Sequence, residues 1–163
     1  MKTVLQILLI CLLTIKGVSG QSNEDYNIDL GIIQMDSITV RQFIKELKIT
    51  NEEIEAESKI KQESGAILVH RLYTNGQQDT NWICEKDLEY LMTLIDSEEP
   101  AKCIIRSISS SKSQPQRTTI GKQVILILYS YKEELNYPHK FSICGEDAHL
   151  YKQDIINWWK ETK

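Results

Sequence analysis

The chain has 163 residues, 41% hydrophobic and 26% charged, with 19 Lys and Arg against 23 Asp and Glu. This is the make-up of a globular protein, and it argues against collagen-like, disordered and strongly basic nucleic-acid-binding classes.

In chain order, Lys2 is followed by an apolar run from Thr3 to Ile15 and then by Val18, Ser19 and Gly20. A short basic start, an apolar stretch and small residues before a cut predict a secretory signal peptide over residues 1–20, with Gln21 as the mature N-terminus. The run of 13 residues is short of the roughly 20 that cross a bilayer as a helix. No later stretch is long and apolar enough to span. A secreted, extracellular chain without stable membrane insertion is therefore expected.

Removal of residues 1–20 takes away Lys2 and Lys16 and no acidic group, leaving 143 residues with 17 basic and 23 acidic side chains. One domain, 21–163, is expected, since a chain of this length buries about two thirds of its unfolded surface. The acidic balance argues against nucleic acid as a partner, because nucleic acid requires a clustered positive field. The mature chain keeps Cys84, Cys103 and Cys144. An odd number in an oxidising compartment implies one bridge with one leftover thiol, or one internal and one intermolecular bridge. No Asn-x-Ser/Thr sequon follows the leader.

Ile28 to Ile33 reads as a short strand or an extended lead-in, and Val40, Phe43, Ile44 and Leu47 recur at helical spacing, predicting a helix over 38–47 with Ser37 as its cap. Thr50-x-x-Glu53 has the form of a capping box and opens a helix over 51–62. Its apolar face is thin, Ile54 and Ile60, and its charge run reads as solvated. The β-rich stretch from Gly65 to Tyr73, the Asn75-Gly76 turn and a returning strand Asn81 to Cys84 predict a hairpin. Asp87 to Ile95 has helical period, Cys103 to Ile108 reads as a strand, and Ser109 to Thr119 as a loop. Gln123 to Tyr131 (QVILILYSY) is the most strand-like run, returning through Lys140 to Cys144. A last amphipathic helix covers 147–160.

Two stretches look alike: Ala66–Val69 leading to Ile83-Cys84-Glu85-Lys86-Asp87, and Val124–Ile127 leading to Ile143-Cys144-Gly145-Glu146-Asp147. They suggest a degenerate repeat of 66–96 and 124–160, with Asp87 and Asp147 as helix caps. Strand directions in this order place Cys84 and Cys144 at one end of the sheet and Cys103 about 15 Å away at the other. A disulfide needs Cα atoms within about 7 Å. The expected bridge is Cys84–Cys144, with Cys103 buried and free or joining two copies as a homodimer.

The expected fold is a single α+β domain with an antiparallel sheet of about five strands, in the order α-β-β-α-β-β-β-α. At the level of topology alone this resembles the profilin-like or longin-like architecture, a likeness that carries no function.

Three histidines, His70, His139 and His149, are available. None lies in His-Glu-x-x-His, and neither a Gly-x-Ser-x-Gly elbow nor a glycine-rich phosphate loop is present. Cys144, Glu146, Asp147 and His149 are the densest group of metal-ligand types, without the paired spacing of a zinc site. A thiol nucleophile at Cys103 has no histidine placed beside it by the sequence. His70 reads as a sheet-face or satisfied core residue and His149 as solvent-facing. No catalytic residue, metal or cofactor is assigned.

Trp158 and Trp159 lie about 100° apart on a helix, so equal burial is not expected and one is a candidate binding anchor; the plainer alternative is a broad helix face that buries both. Tyr151 belongs to the same candidate surface, to which Tyr129, Tyr131 and Tyr137 are potential additions. The reading is a secreted, non-enzymatic interaction protein acting through contacts with an extracellular protein. The alternatives are a carrier of a small apolar ligand in a cavity between sheet and helices, or a hydrolase or thiol enzyme with a dispersed site.

Overall fold

The computed structural model of the chain describes residues 32–65, 70–106, 117–140 and 142–163. The expected leader, the lead-in to Gly31, the Ala66–Val69 segment and most of the Ser-rich loop lie outside them.

Strand β1 (Ile32–Gln34) is followed by a 3-10 turn, Met35–Ser37, and by helix α1 (Val40–Leu47). The cap of α1 is Thr39 rather than Ser37: its hydroxyl accepts from the Gln42 amide, and Gln42 Oε1 accepts from the Thr39 N–H at 3.1 Å. Val40, Phe43, Ile44 and Leu47 are fully or almost fully buried, so the expected apolar stripe is the one that docks. Helix α2 (Asn51–Ser64) begins with the Thr50–Glu53 box, at 2.7 and 3.2 Å, and ends at Gly65 in the left-handed region. Strand β2 (Arg71–Asn75), a 3-10 turn at Thr80–Trp82 and helix α3 (Glu85–Thr93) follow. Next come β3 (Pro100–Ala101), β4 (Cys103–Ile105), β5 (Thr118–Thr119), helix α4 (Ile120–Lys132), β6 (Ser142–Ile143) and helix α5 (Ala148–Thr162).

The mixed α and β content is as expected, but the sheet is not antiparallel. Its order is β1-β2-β4-β6, with β1, β2 and β4 parallel and only β6 antiparallel to β4; β3 and β5 form a separate antiparallel ribbon. The Asn75-Gly76 turn forms without a hairpin. β2 already has a parallel neighbour on each edge, so the chain instead bridges Gln78 to Tyr137 and enters the Thr80–Trp82 turn.

The largest correction concerns QVILILYSY, which lies within α4 rather than in a strand. A continuous apolar run has no period to separate a buried strand from a helix buried on all sides. Ile120, Val124 to Leu128 and Ser130 are all buried in α4, which packs against α3, α5 and the β3–β5 ribbon. Within the look-alike stretches Trp82 sits in a 3-10 turn while Ser142 is in a strand; Val124–Ile127 is helical, and its counterpart Ala66–Val69 lies outside the described residues.

The misplaced strand also reversed the cysteine argument. β4 and β6 pair with Ile104 opposite Ile143, so Cys103 faces Cys144, with Cα atoms 4.5 Å apart and the two sulfurs bonded. The expected Cys84–Cys144 bridge is corrected to Cys103–Cys144, and Cys84 is exposed and free. Cys103, fully buried, is neither a free thiol nor a link between two copies.

Candidate functional site

Helices α4 and α5 pack along their length, with Ile127 and Ile155 without exposed surface. Two aromatic groups line their seam. Tyr129 stacks on Tyr151 with ring centroids 4.0 Å apart, and His139 meets Tyr129 edge-on. Two residues on along α4, Tyr131 meets Trp158 with ring centroids 6.0 Å apart, and the Trp158 and Trp159 centroids are 6.3 Å apart. Tyr151 and Trp158 share a helix face but are separated by about 10 Å along the axis, so the candidate surface is two clusters rather than one.

Both tryptophans are half-buried, so neither stands fully exposed. Trp159 is covered by Lys163, whose ammonium lies 4.8 Å from the ring centroid and pairs with Glu89 at 3.0 Å. Tyr137 leaves the surface altogether. Its ring stacks on Trp82 and meets Phe43 edge-on within the core, and burial pushes its hydroxyl pKa well up.

A solvent-open groove of about 370 Å³ runs between the Thr80–Trp82 turn and the Tyr131–Trp158 pair. Thr80, Asn81 and Ile83 form one side; Tyr131, Lys132, Glu134 and Trp158 form the other. Lys132 is bound to Glu133 at 2.7 Å and Asp154 at 2.9 Å, and these hydrogen bonds hold its pKa above the usual lysine range. Glu134 is exposed with φ 52°. The Leu135 N–H donates to Ser130 O and the Glu134 N–H to Tyr131 O, the hydrogen bonds of a Schellman ending whose left-handed position is usually glycine.

The other sequence candidates separate. His70 is buried, and its Nε2 donates to Glu57 Oε2 at 3.1 Å. Arg117 pairs with the same carboxylate, and Lys102 reaches Glu53 one turn earlier on α2 at 2.9 Å. The His70 hydrogen bond holds the Glu57 carboxyl below the usual range; burial opposes this and Arg117 adds to it. The cluster is not legible from the apolar pattern, which makes Ile54 and Ile60 the inner face of α2. Both are exposed, and α2 docks through Glu53 and Glu57 instead. The available signal was their i, i+4 spacing.

His139 Nδ1 lies 2.9 Å from Ser130 Oγ, whose hydroxyl donates to Leu126 O. His149 is exposed and its Nδ1 donates to Glu146 O. Asp147 flanks α5 without capping it and pairs with Lys140 at 2.8 Å, which lowers its carboxyl pKa. Asp87 does cap α3: it accepts from the Cys84 amide and thiol and pairs with Arg41 at 3.0 Å. Among the described residues no group of three metal-ligand side chains converges, and no helix is long and apolar enough to cross a membrane. The Cys103 sulfur is consumed in the disulfide, so it provides no nucleophile.

Comparison with protein-family models, curated proteins and solved structures finds no match for this chain.

Proposed function

We propose that the protein is a secreted, non-enzymatic interaction protein that binds an extracellular protein through the groove beside Trp158. The observation that carries this reading is the groove itself, which combines an aromatic wall of Tyr131 and Trp158 with the polar side chains of Thr80, Asn81 and Glu134. Aromatic anchors within a polar rim are the common pattern of protein recognition sites. The carrier reading loses ground because Phe43, Ile44, Leu47, Leu91 and Ile104 fill the space between sheet and helices without exposure. The leader over 1–20 and the Cys103–Cys144 bridge both suit an extracellular chain.

The test is chemical cross-linking of the full chain, expressed in an oxidising host, to extracellular fluid and cell surfaces, comparing wild type with Trp158→Ala. A discrete protein adduct that disappears in the variant is expected, with thermal unfolding showing that the variant is folded. An adduct unchanged by the substitution would move the interface elsewhere. A stoichiometric small molecule in native mass spectrometry, without any protein adduct, would overturn the reading in favour of a carrier.

A further inference from the structure

Twice among the described residues, an aromatic ring and a carboxylate together hold a cation. The Arg41 guanidinium lies 4.4 Å from the Tyr90 ring centroid while pairing with Asp87. Lys163 lies over Trp159 while pairing with Glu89. The groove repeats the first two parts, with Tyr131 and Trp158 in contact as one wall and Glu134 beside them. Its own Lys132 is already engaged by Glu133 and Asp154. Two carboxylates, Glu133 and Asp154, thus neutralise the groove's own lysine, and Glu134 lines the same groove. Among the described residues, Glu134 has no ion-pair partner.

A second observation is independent of charge. Glu134 occupies a left-handed backbone position at φ 52°, where a residue with a Cβ is strained and glycine is not. Strain of this kind persists where a site has a use for the side chain. Here that side chain is a carboxylate on the lip of the groove.

Resting on the reading of the groove as the interaction site, we propose that it takes a lysine or arginine side chain of the partner protein. The cation lies on the Tyr131–Trp158 wall and pairs with Glu134. Both contacts are of established kinds, a cation over an aromatic face and a charge-assisted hydrogen bond. The chain's acidic balance favours the encounter.

The probe is a tetra-arginine peptide titrated into the full chain, read by the Trp158 indole N–H resonance and assigned with Trp158→Phe. The expected result is a saturable shift, weakened by about fivefold in Glu134→Gly and unaltered in Glu55→Gln, which removes an exposed charge on α2. Glu134→Gly should also unfold at higher urea than wild type, which shows that lost binding is not lost folding. The proposal is overturned by absence of a saturable Trp158 shift, by equal affinity of Glu134→Gly, or by equal weakening in Glu55→Gln. If Trp158→Ala loses the protein adduct while Glu134→Gly keeps it, the groove remains the interface and the cationic occupant is wrong.

Discussion

Reduction of the Cys103–Cys144 bridge is the perturbation whose size follows most directly from the structure. The bridged residues are 41 apart, and closing a loop of that length in the unfolded chain stabilises the native state by about 4 kcal/mol in the chain-entropy treatment. With a urea slope of about 2 kcal/mol per molar for a domain of this size, the midpoint should fall by about 2 M. The assay is urea unfolding of Cys84→Ser, with and without a phosphine reductant; this background removes the exposed thiol and prevents exchange. Alkylation of the unreduced wild type should label Cys84 and spare Cys103 and Cys144, and peptide mapping should recover Cys103 joined to Cys144. Superimposable oxidised and reduced curves would refute the stabilisation argument. A map joining Cys84 to Cys144 would refute the β4–β6 register itself, because that register sets Cys103 opposite Cys144.

Two other expectations are independent of the bridge. Gly145 has φ 86°, and an added Cβ would lie 2.7 Å from Thr118 Oγ1 and 2.8 Å from Lys122 Cβ, so Gly145→Ala should cost about 2–4 kcal/mol from backbone strain and overpacking together; a urea midpoint equal to that of wild type would count against this packing. The Glu57 carboxyl is held below its ordinary pKa of 4.5 by His70 and, less strongly, by Arg117, so its contribution is complete above the unfolded value and lost as pH falls through the folded one. Stability of Glu57→Gln should therefore decline less steeply than wild type below about pH 4.5, while the other lowered carboxyls, Glu52, Glu53, Asp87 and Asp147, keep some slope in both; identical profiles would remove Glu57 from the acid response.

Much of the helical layer was legible because its signals are local. The Thr50–Glu53 box, the Val40–Leu47 stripe, the Asp87 contact at the start of α3 and the amphipathic last helix all arise between residues three or four apart. The aromatic residues of α5 are also legible, together with their neighbours Tyr129 and Tyr131, though not which of them meet. The partners that make the groove, Thr80, Asn81 and Glu134, come from a 3-10 turn that overlaps the expected returning strand Asn81 to Cys84 and from the end of α4, a helix where a strand is expected.

The sequence by itself determined where helices α1, α2, α3 and α5 lie, because capping and the 3.6-residue period are decided within one or two turns. Tertiary structure decided the rest. Whether Val124–Leu128 formed a strand or a helix depended on what surrounded it, since an unbroken apolar run suits either when buried on all sides. The parallel order of β1, β2 and β4 and the face-to-face placing of Cys103 and Cys144 depended on pairing between segments distant in the chain. The inward turn of Glu57 depended on His70 and Arg117 arriving from other elements. A buried carboxylate becomes tolerable only once its partners are in place.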